Sequence, residues 1–200
     1  MDGFGRSAKK ILQLMSLEAR IIQAAKIHGA FTLRSGKMSD TYFDKYQFEA
    51  IPELLADIAQ AMRGLIPEDT EVLAGLEMGG IPIVTMLSQV SGLHSAFIRK
   101  EPKSYGTCRY SEGADLVSKR VLLIEDVVSS GGAIIDAVTM LREDGVAVSQ
   151  ALCVIDRETG GYENLLAHDV ELLSLFRQSD LDVLSTQGEQ GSAYQSTTAS

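Results

Sequence analysis

Two hundred residues carry 18 Lys and Arg against 27 Asp and Glu, a formal net charge of −9. That acidic balance argues against non-specific binding to nucleic acid or to anionic membrane, which rests on cation-rich surfaces, but it leaves room for a local basic patch that takes a small anion. The length suits one domain burying roughly two-thirds of the unfolded chain's surface, and no apolar run approaches the ~20 residues of a membrane span.

At the N-terminus, Lys9 and Lys10 precede Ile11, Leu12, Leu14 and Met15, a weak likeness to a signal peptide. Gln13 and Ser16 interrupt it and Glu18 and Arg20 follow, so the segment reads as part of a helix and the expected compartment is the cytosol. Apolar residues at helical spacing predict that helix over 8–28, with Gly29 as its stop. Residues 31–48 are polar and aromatic and predict short strands and turns. Pro52 then opens a helix carrying Leu54, Leu55, Ile58, Ala59 and Met62 on one face. A strand is predicted over 72–76, a helix over 81–90 after a Gly-Gly turn, and a strand over 96–98. Residues 99–115 lack periodicity, which inside a compact domain marks a functional or mobile stretch. A β-branched strand over 121–124 suits burial on both faces. A helix over 132–144, capped by Gly145, follows. Then come a strand over 148–155, a short helix over 162–167 and a strand over 170–175. From Gln178 the chain is rich in Gln, Ser, Thr and Gly, and a disordered tail is expected over 178–200.

Alternating strands and helices predict an α/β fold with a mainly parallel central sheet flanked by helices. Ligands bind such sheets at the carboxyl ends of the strands. His28, His94 and His168 are scattered and support neither a zinc site nor a Ser-His-Asp triad. Cys108 and Cys153 lie outside metal-ligand spacing and read as free cytosolic thiols.

The most informative stretch is Val121-Leu-Leu-Ile-Glu125-Asp126-Val127-Val128-Ser129-Ser130-Gly131-Gly132-Ala133. A buried strand delivers two adjacent carboxylates to its end, and a hydroxyl-glycine turn leads into a helix. The glycines let backbone N–H groups approach an anion, the helix N-terminus adds partial positive charge, and the serines donate to phosphate oxygens. Acids beside a phosphate cradle make sense if they meet sugar hydroxyls or a hard cation. The spacing is neither that of a P-loop nor that of a dinucleotide fold. These thirteen residues resemble the phosphoribosyl-pyrophosphate-binding motif of type I phosphoribosyltransferases.

Three further segments look like orotate phosphoribosyltransferase. The first runs from Phe31 to Asp44 and holds Arg34-Ser35-Gly36-Lys37 and the aromatic pair Tyr42-Phe43. The pair suits a flat pyrimidine, with side-chain stacking and backbone bonds to its polar edge, while Arg34 or Lys37 reaches pyrophosphate. The second, Arg99-Lys100-Glu101-Pro102-Lys103-Ser104-Tyr105-Gly106 with Glu112-Gly113 beyond it, is similar to the family's flexible catalytic loop. Its three cations would neutralise a pyrophosphate leaving group, and closure would keep water from the reactive carbon. The third, Val154-Ile155-Asp156-Arg157 with Gly160-Gly161, matches the family's strand ending in Asp-Arg; Arg157 would pair with the orotate carboxylate.

The resemblance implies the type I phosphoribosyltransferase fold over 1–177, with a small hood made of about 1–50 and 157–177. It implies transfer of the phosphoribosyl group from phosphoribosyl pyrophosphate to orotate, with magnesium carried by the pyrophosphate rather than ligated by the protein. It also implies a homodimer whose catalytic loops are shared between subunits. Lys103 would be the chief catalytic cation, aided by Arg99, Lys100 and Tyr105. Glu125 and Asp126 would hold the ribose hydroxyls, Ser129, Ser130, Gly131, Gly132 and Ala133 the 5′-phosphate, with Val127 and Val128 also against phosphoribosyl pyrophosphate, and Ser129 would also lie near orotate. Two departures stand out: Gly79 occupies the place of a lysine that contacts pyrophosphate in many members, and Arg34 stands where a lysine is common. A purine phosphoribosyltransferase is the rival, opposed by residues 35–44 and Arg157. A non-catalytic regulator of the same fold is opposed by the cationic loop and by the lack of a DNA-binding basic face.

Overall fold

A computed structural model of the chain describes residues 15–32, 36, 38–102 and 110–183. Arg34, Lys37, Lys103, Tyr105, Cys108 and the tail beyond 183 lie outside the described residues. Contacts group the chain into two units: Met1–Leu54 with Ser179–Ser200, and Leu55–Gln178.

In the first unit, Ser16 caps helix α1 (Leu17–Ala25) by accepting from Ala19 N at 3.3 Å. The helix ends well before the predicted Gly29. Lys26 is already extended, and β1 (Lys26–Thr32) pairs antiparallel with β2 (Met38–Phe43), from Lys26↔Phe43 to Thr32↔Met38. Cross-strand pairing outweighs the helical periodicity of residues 26–28. A short helix, α2 (Lys45–Glu49), stands where only turns were predicted; Asp44 caps it by accepting from Tyr46 N, and it buries Phe48. Helix α3 (Pro52–Arg63) crosses the boundary between the units and begins at Pro52 as expected. Residues 178–183 are helical and Leu181 is buried, so this stretch of the expected disordered tail is ordered by an apolar anchor.

The second unit holds β3 (Val72–Leu76), α4 (Gly80–Ser91), β4 (His94–Ile98), β5 (Ser111–Gly113), β6 (Arg120–Val128), α5 (Gly132–Glu143), β7 (Ala147–Asp156), α6 (Gly161–Leu166) and β8 (Glu171–Arg177). The six strands lie in the order β5-β4-β3-β6-β7-β8, parallel except for β5. From the centre, β3 leads outward to β4 on one side and β6 leads to β7 on the other, so right-handed crossovers place α4 and α5 on opposite faces. Strand β8 pairs with β7 over 171–177, and α6 packs against it. The stretch 157–177, expected in the hood, therefore belongs with the central sheet, because an edge strand satisfies its backbone on the sheet.

Val121 to Ile124 are buried, as a strand covered on both faces requires. Each such side chain contributes about 1.5–3 kcal/mol relative to exposure. Their alternation splits the core: Val121 and Leu123 join the cluster of α5, with Ile134, Val138 and Leu141, while Leu122 and Ile124 face the other way.

Candidate active site

The direction of winding reverses between the parallel strands β3 and β6, and at such a switch point the loops beyond the strand ends diverge and leave a crevice. Everything assembled there comes from strand termini. Strand β6 runs through the two acids to Val128, so Glu125 and Asp126 are part of the strand rather than its cap, 8% and 0% exposed. Buried carboxylates need donors. Asp126 N donates to Glu125 Oε1 at 3.1 Å, and Val127 N donates to Asp126 Oδ1 at 2.5 Å. Strand alternation sends the two acids to opposite faces. Glu125 lies toward Cys153, whose thiol is pushed well above its usual range by burial and then by Asp156 and Glu125. A neutral, buried Cys153 fits the free-thiol reading. Asp126 lies on the side of the turn after β3.

Beyond Val128, Ser129 and Ser130 are exposed, and Gly131 turns the chain at φ +78°, a left-handed conformation suited to glycine. Helix α5 then starts with no side-chain cap. Its first N–H groups are left for an anion, with the helix dipole behind them. Helix α6 holds this loop from the rear: Asn164 Nδ2 donates to Ser130 O at 3.0 Å, and Leu165 lies under Gly131.

The turn after β3, Glu77 to Gly79, leads into α4 at Gly80, and the Glu77–Met78 peptide is cis. At Gly79, the place where a side chain would begin is filled by the Asp126 carboxylate. Glycine there is a steric requirement of this arrangement. Glu77 reaches the next strand: its N–H donates to Ile98 O at 2.8 Å, and its Oε1 accepts from Lys100 N at 2.6 Å. Across β4 on the other side, Arg99 N donates to Tyr110 O at 2.7 Å. Tyr110 is itself anchored to α5, its hydroxyl donating to Met140 O at 3.0 Å, and burial pushes its phenol up to about 12, with Asp144 adding to the effect.

Arg157 follows the end of β7, and its N–H donates to Val128 O at 2.8 Å. The two acids, the hydroxyl-glycine loop and Arg157 are thus neighbours along adjacent strand ends, with Gly79, Arg99 and Lys100 at the ends of β3 and β4. Tyr42 and Phe43 belong to the first unit. Successive strand residues face opposite sides, so Phe43 packs toward the buried Phe48, with ring centroids 6.5 Å apart, while Tyr42 lies half-exposed beside Phe31 at 5.5 Å.

Among the described residues no group of three or more His, Cys, Asp or Glu is arranged to hold a metal. A magnesium ion carried on substrate phosphates would find carboxylate charge at this strand end, but Glu125 and Asp126 face opposite sides of β6 and do not form a joint ligand pair. A cavity of about 490 Å³ lined by residues 110–117, Leu141, Asp144 and Val146 lies by the start of β6 and β7, at the opposite strand ends from the acids.

Sequence reasoning missed Glu77 and Asn164. Both act through backbone atoms of residues distant in the chain, and neither carries a local signal beyond its polarity.

The chain matches the family model "Phosphoribosyl transferase domain" over residues 44–179. It is 44% identical over 167 residues to the orotate phosphoribosyltransferase of Nocardioides sp., covering 84% of this chain and 93% of that one. It is 42% identical to that of Methanocella arvoryzae, covering 76% and 87%. Among solved structures, orotate phosphoribosyltransferase of Mycobacterium tuberculosis in complex with Fe(III) dicitrate superposes with a TM-score of 0.76 at 30% identity, over 82% of this chain and 96% of that one. The same enzyme in complex with 5-phospho-alpha-D-ribosyl 1-diphosphate gives 0.72 at 26%, over 83% and 96%. With a family-wide match and close relatives of one kind along most of its length, the chain belongs to the phosphoribosyltransferase family, in its orotate phosphoribosyltransferase branch.

Proposed function

We propose that the protein transfers the phosphoribosyl group of phosphoribosyl pyrophosphate to orotate, giving orotidine 5′-phosphate and pyrophosphate in pyrimidine biosynthesis. The observation that carries this reading is the uncapped, glycine-turned N-terminus of α5, next to two buried acids and one strand from Arg157. Residues 129–133 hold the 5′-phosphate on backbone N–H groups and serine hydroxyls. Glu125 and Asp126 accept from the ribose hydroxyls. Arg157 offers a planar fork to the orotate carboxylate, helped by Ser129. Tyr42 and the Phe43 backbone take the face and edge of the pyrimidine.

N1 of orotate attacks C1 of the ribose from the side opposite the pyrophosphate, losing its proton. The C1–O bond breaks, and its electron pair leaves on the pyrophosphate. The transition state carries oxocarbenium character at C1 and growing negative charge on the leaving oxygen. Arg99, Lys100 and Lys103, with Tyr105 and Arg34, meet that charge, and the rate gain comes from positioning and electrostatics rather than from covalent chemistry. Magnesium, bound to the pyrophosphate as part of the substrate, supplies further charge neutralisation. The enzyme works in the cytoplasm as a homodimer whose catalytic loops are shared between subunits, each lending Lys103 and Tyr105 to the partner's site.

The test is the fall in orotate absorbance when phosphoribosyl pyrophosphate is added, with and without magnesium. Turnover of orotate that depends on magnesium is expected. Turnover of adenine or hypoxanthine but not orotate would move the chain to the purine enzymes, and ligand binding without turnover would make it a regulator.

A further inference from the structure

The turn between β3 and α4 lacks the lysine that serves pyrophosphate in many relatives, and its geometry shows why a lysine does not fit. The first atom of any side chain at Gly79 would occupy the position of the Asp126 carboxylate. Asp126 is fully buried and its Oδ1 is held by Val127 N, so it does not simply swing away. The positive charge facing pyrophosphate has to come from outside the turn, and Arg99 and Lys100 stand just past the end of β4, the strand paired with β3.

Those two residues stand where the ladder runs out. Leu76 is the last residue of β3, paired with Ile98, and Glu77 N makes the final backbone rung to Ile98 O. In a continuing parallel pair the N–H of Lys100 would find the next carbonyl of β3. The chain instead turns away at Glu77, and the Glu77 carboxylate takes that N–H at 2.6 Å. The side chain adds one rung that the backbone no longer offers. On the far side, Arg99 N is held by Tyr110 O. The Arg99-Lys100 backbone is therefore pinned from both flanks. Arg99 Nε is buried with no hydrogen-bond partner among the described residues.

We infer that Glu77 is a positioning residue for pyrophosphate: its carboxylate fixes the Arg99-Lys100 backbone beside the glycine turn and so replaces, at one remove, the missing lysine. This rests on the phosphoribosyl-transfer reading above. A carboxylate beside a pyrophosphate site would be counterproductive if it faced the anion. Spent on a backbone N–H, its charge is directed away from the ligand, and the cations keep theirs.

The experiment compares wild type with Glu77→Ala and Glu77→Gln. It measures KM for each substrate, kcat, Tm, and the Kd of inorganic pyrophosphate with magnesium by calorimetry. Loss of a charge-assisted hydrogen bond at this point should weaken pyrophosphate by about tenfold in Glu77→Ala and raise KM for phosphoribosyl pyrophosphate by a similar factor. KM for orotate should stay within about twofold, because Arg157 is held by a different strand. Glu77→Gln keeps an acceptor oxygen and should recover most of the loss. Unchanged pyrophosphate affinity in Glu77→Ala would overturn the inference. So would a uniform loss in both variants, with lowered Tm and both KM values raised together. If the wild type failed to turn over orotate, the reading above would fall, while the pyrophosphate Kd values would still decide the role of Glu77.

Discussion

Gly79 is the residue whose meaning changed most between sequence and structure. As a departure from the usual lysine it reads as a loss of pyrophosphate affinity. Packed against Asp126, it reads as one half of a steric pair. Restoring the lysine should therefore harm the enzyme: Gly79→Lys is expected to raise KM for phosphoribosyl pyrophosphate several-fold by displacing a ribose-binding acid, a cost of about 1–3 kcal/mol for forcing a side chain into filled space. Steady-state kinetics decide it, and a lowered KM would show that Asp126 moves freely. Tyr110 offers a second residue-scale test. Its partly buried phenol, near Asp144 and Glu143, is pushed up to about 12. A raised folded value means that the neutral form stabilises the fold below the unfolded value near 10, and that this contribution fades as pH climbs from there toward about 12. Tyr110→Phe, which loses the bond to Met140 O, should cost ~1 kcal/mol near neutrality. In urea unfolding the gap to wild type should narrow between about pH 10 and 12. A constant gap would mean that the phenol's ionisation is not linked to folding.

At the scale of elements, helix α6 is six residues long and too short to be stable by itself. Its role is to brace the phosphate-binding loop through Asn164 and Leu165. Asn164→Ala should raise KM for phosphoribosyl pyrophosphate several-fold while changing stability by only ~1 kcal/mol. An unchanged KM would show that Gly131 and the sheet hold the loop unaided. The elements around this brace were legible in the sequence. The strand over 72–76 has the predicted bounds, and the strands and helices from 80 to 177 begin and end within a few residues of expectation, except β5, which stands in the stretch 99–115 read as lacking periodicity. They carry strong local signals: β-branched runs, Gly-Gly turns and a capping glycine. The N-terminal part was less legible. Residues 26–28 continue a helical pattern yet enter β1, and the Asp44 cap of α2 went unread among aromatic residues that suggested strands. Both errors arose where partner strands or buried aromatics overrode local preference.

For the whole molecule, the proposed sharing of sites between subunits leads to a complementation test. Lys103→Ala and Arg157→Ala should each be nearly inactive alone. Mixed, unfolded and refolded together, they should recover up to about a quarter of wild-type activity, because half the dimers are mixed and each has one intact site. No recovery would place both residues in the same subunit's site. The sequence by itself determined the α/β class, the strand bearing two acids, the hydroxyl-glycine turn and the family, because each is written in consecutive residues whose spacing carries the chemistry. Only the tertiary structure decided which residues support them. Glu77 meets Lys100 across 23 positions and Asn164 meets Ser130 across 34. Such contacts depend on where strand ends fall in the sheet, and no local pattern records that. The same reason explains Gly79: a residue defined by what it leaves room for has a meaning only once its neighbour is in place.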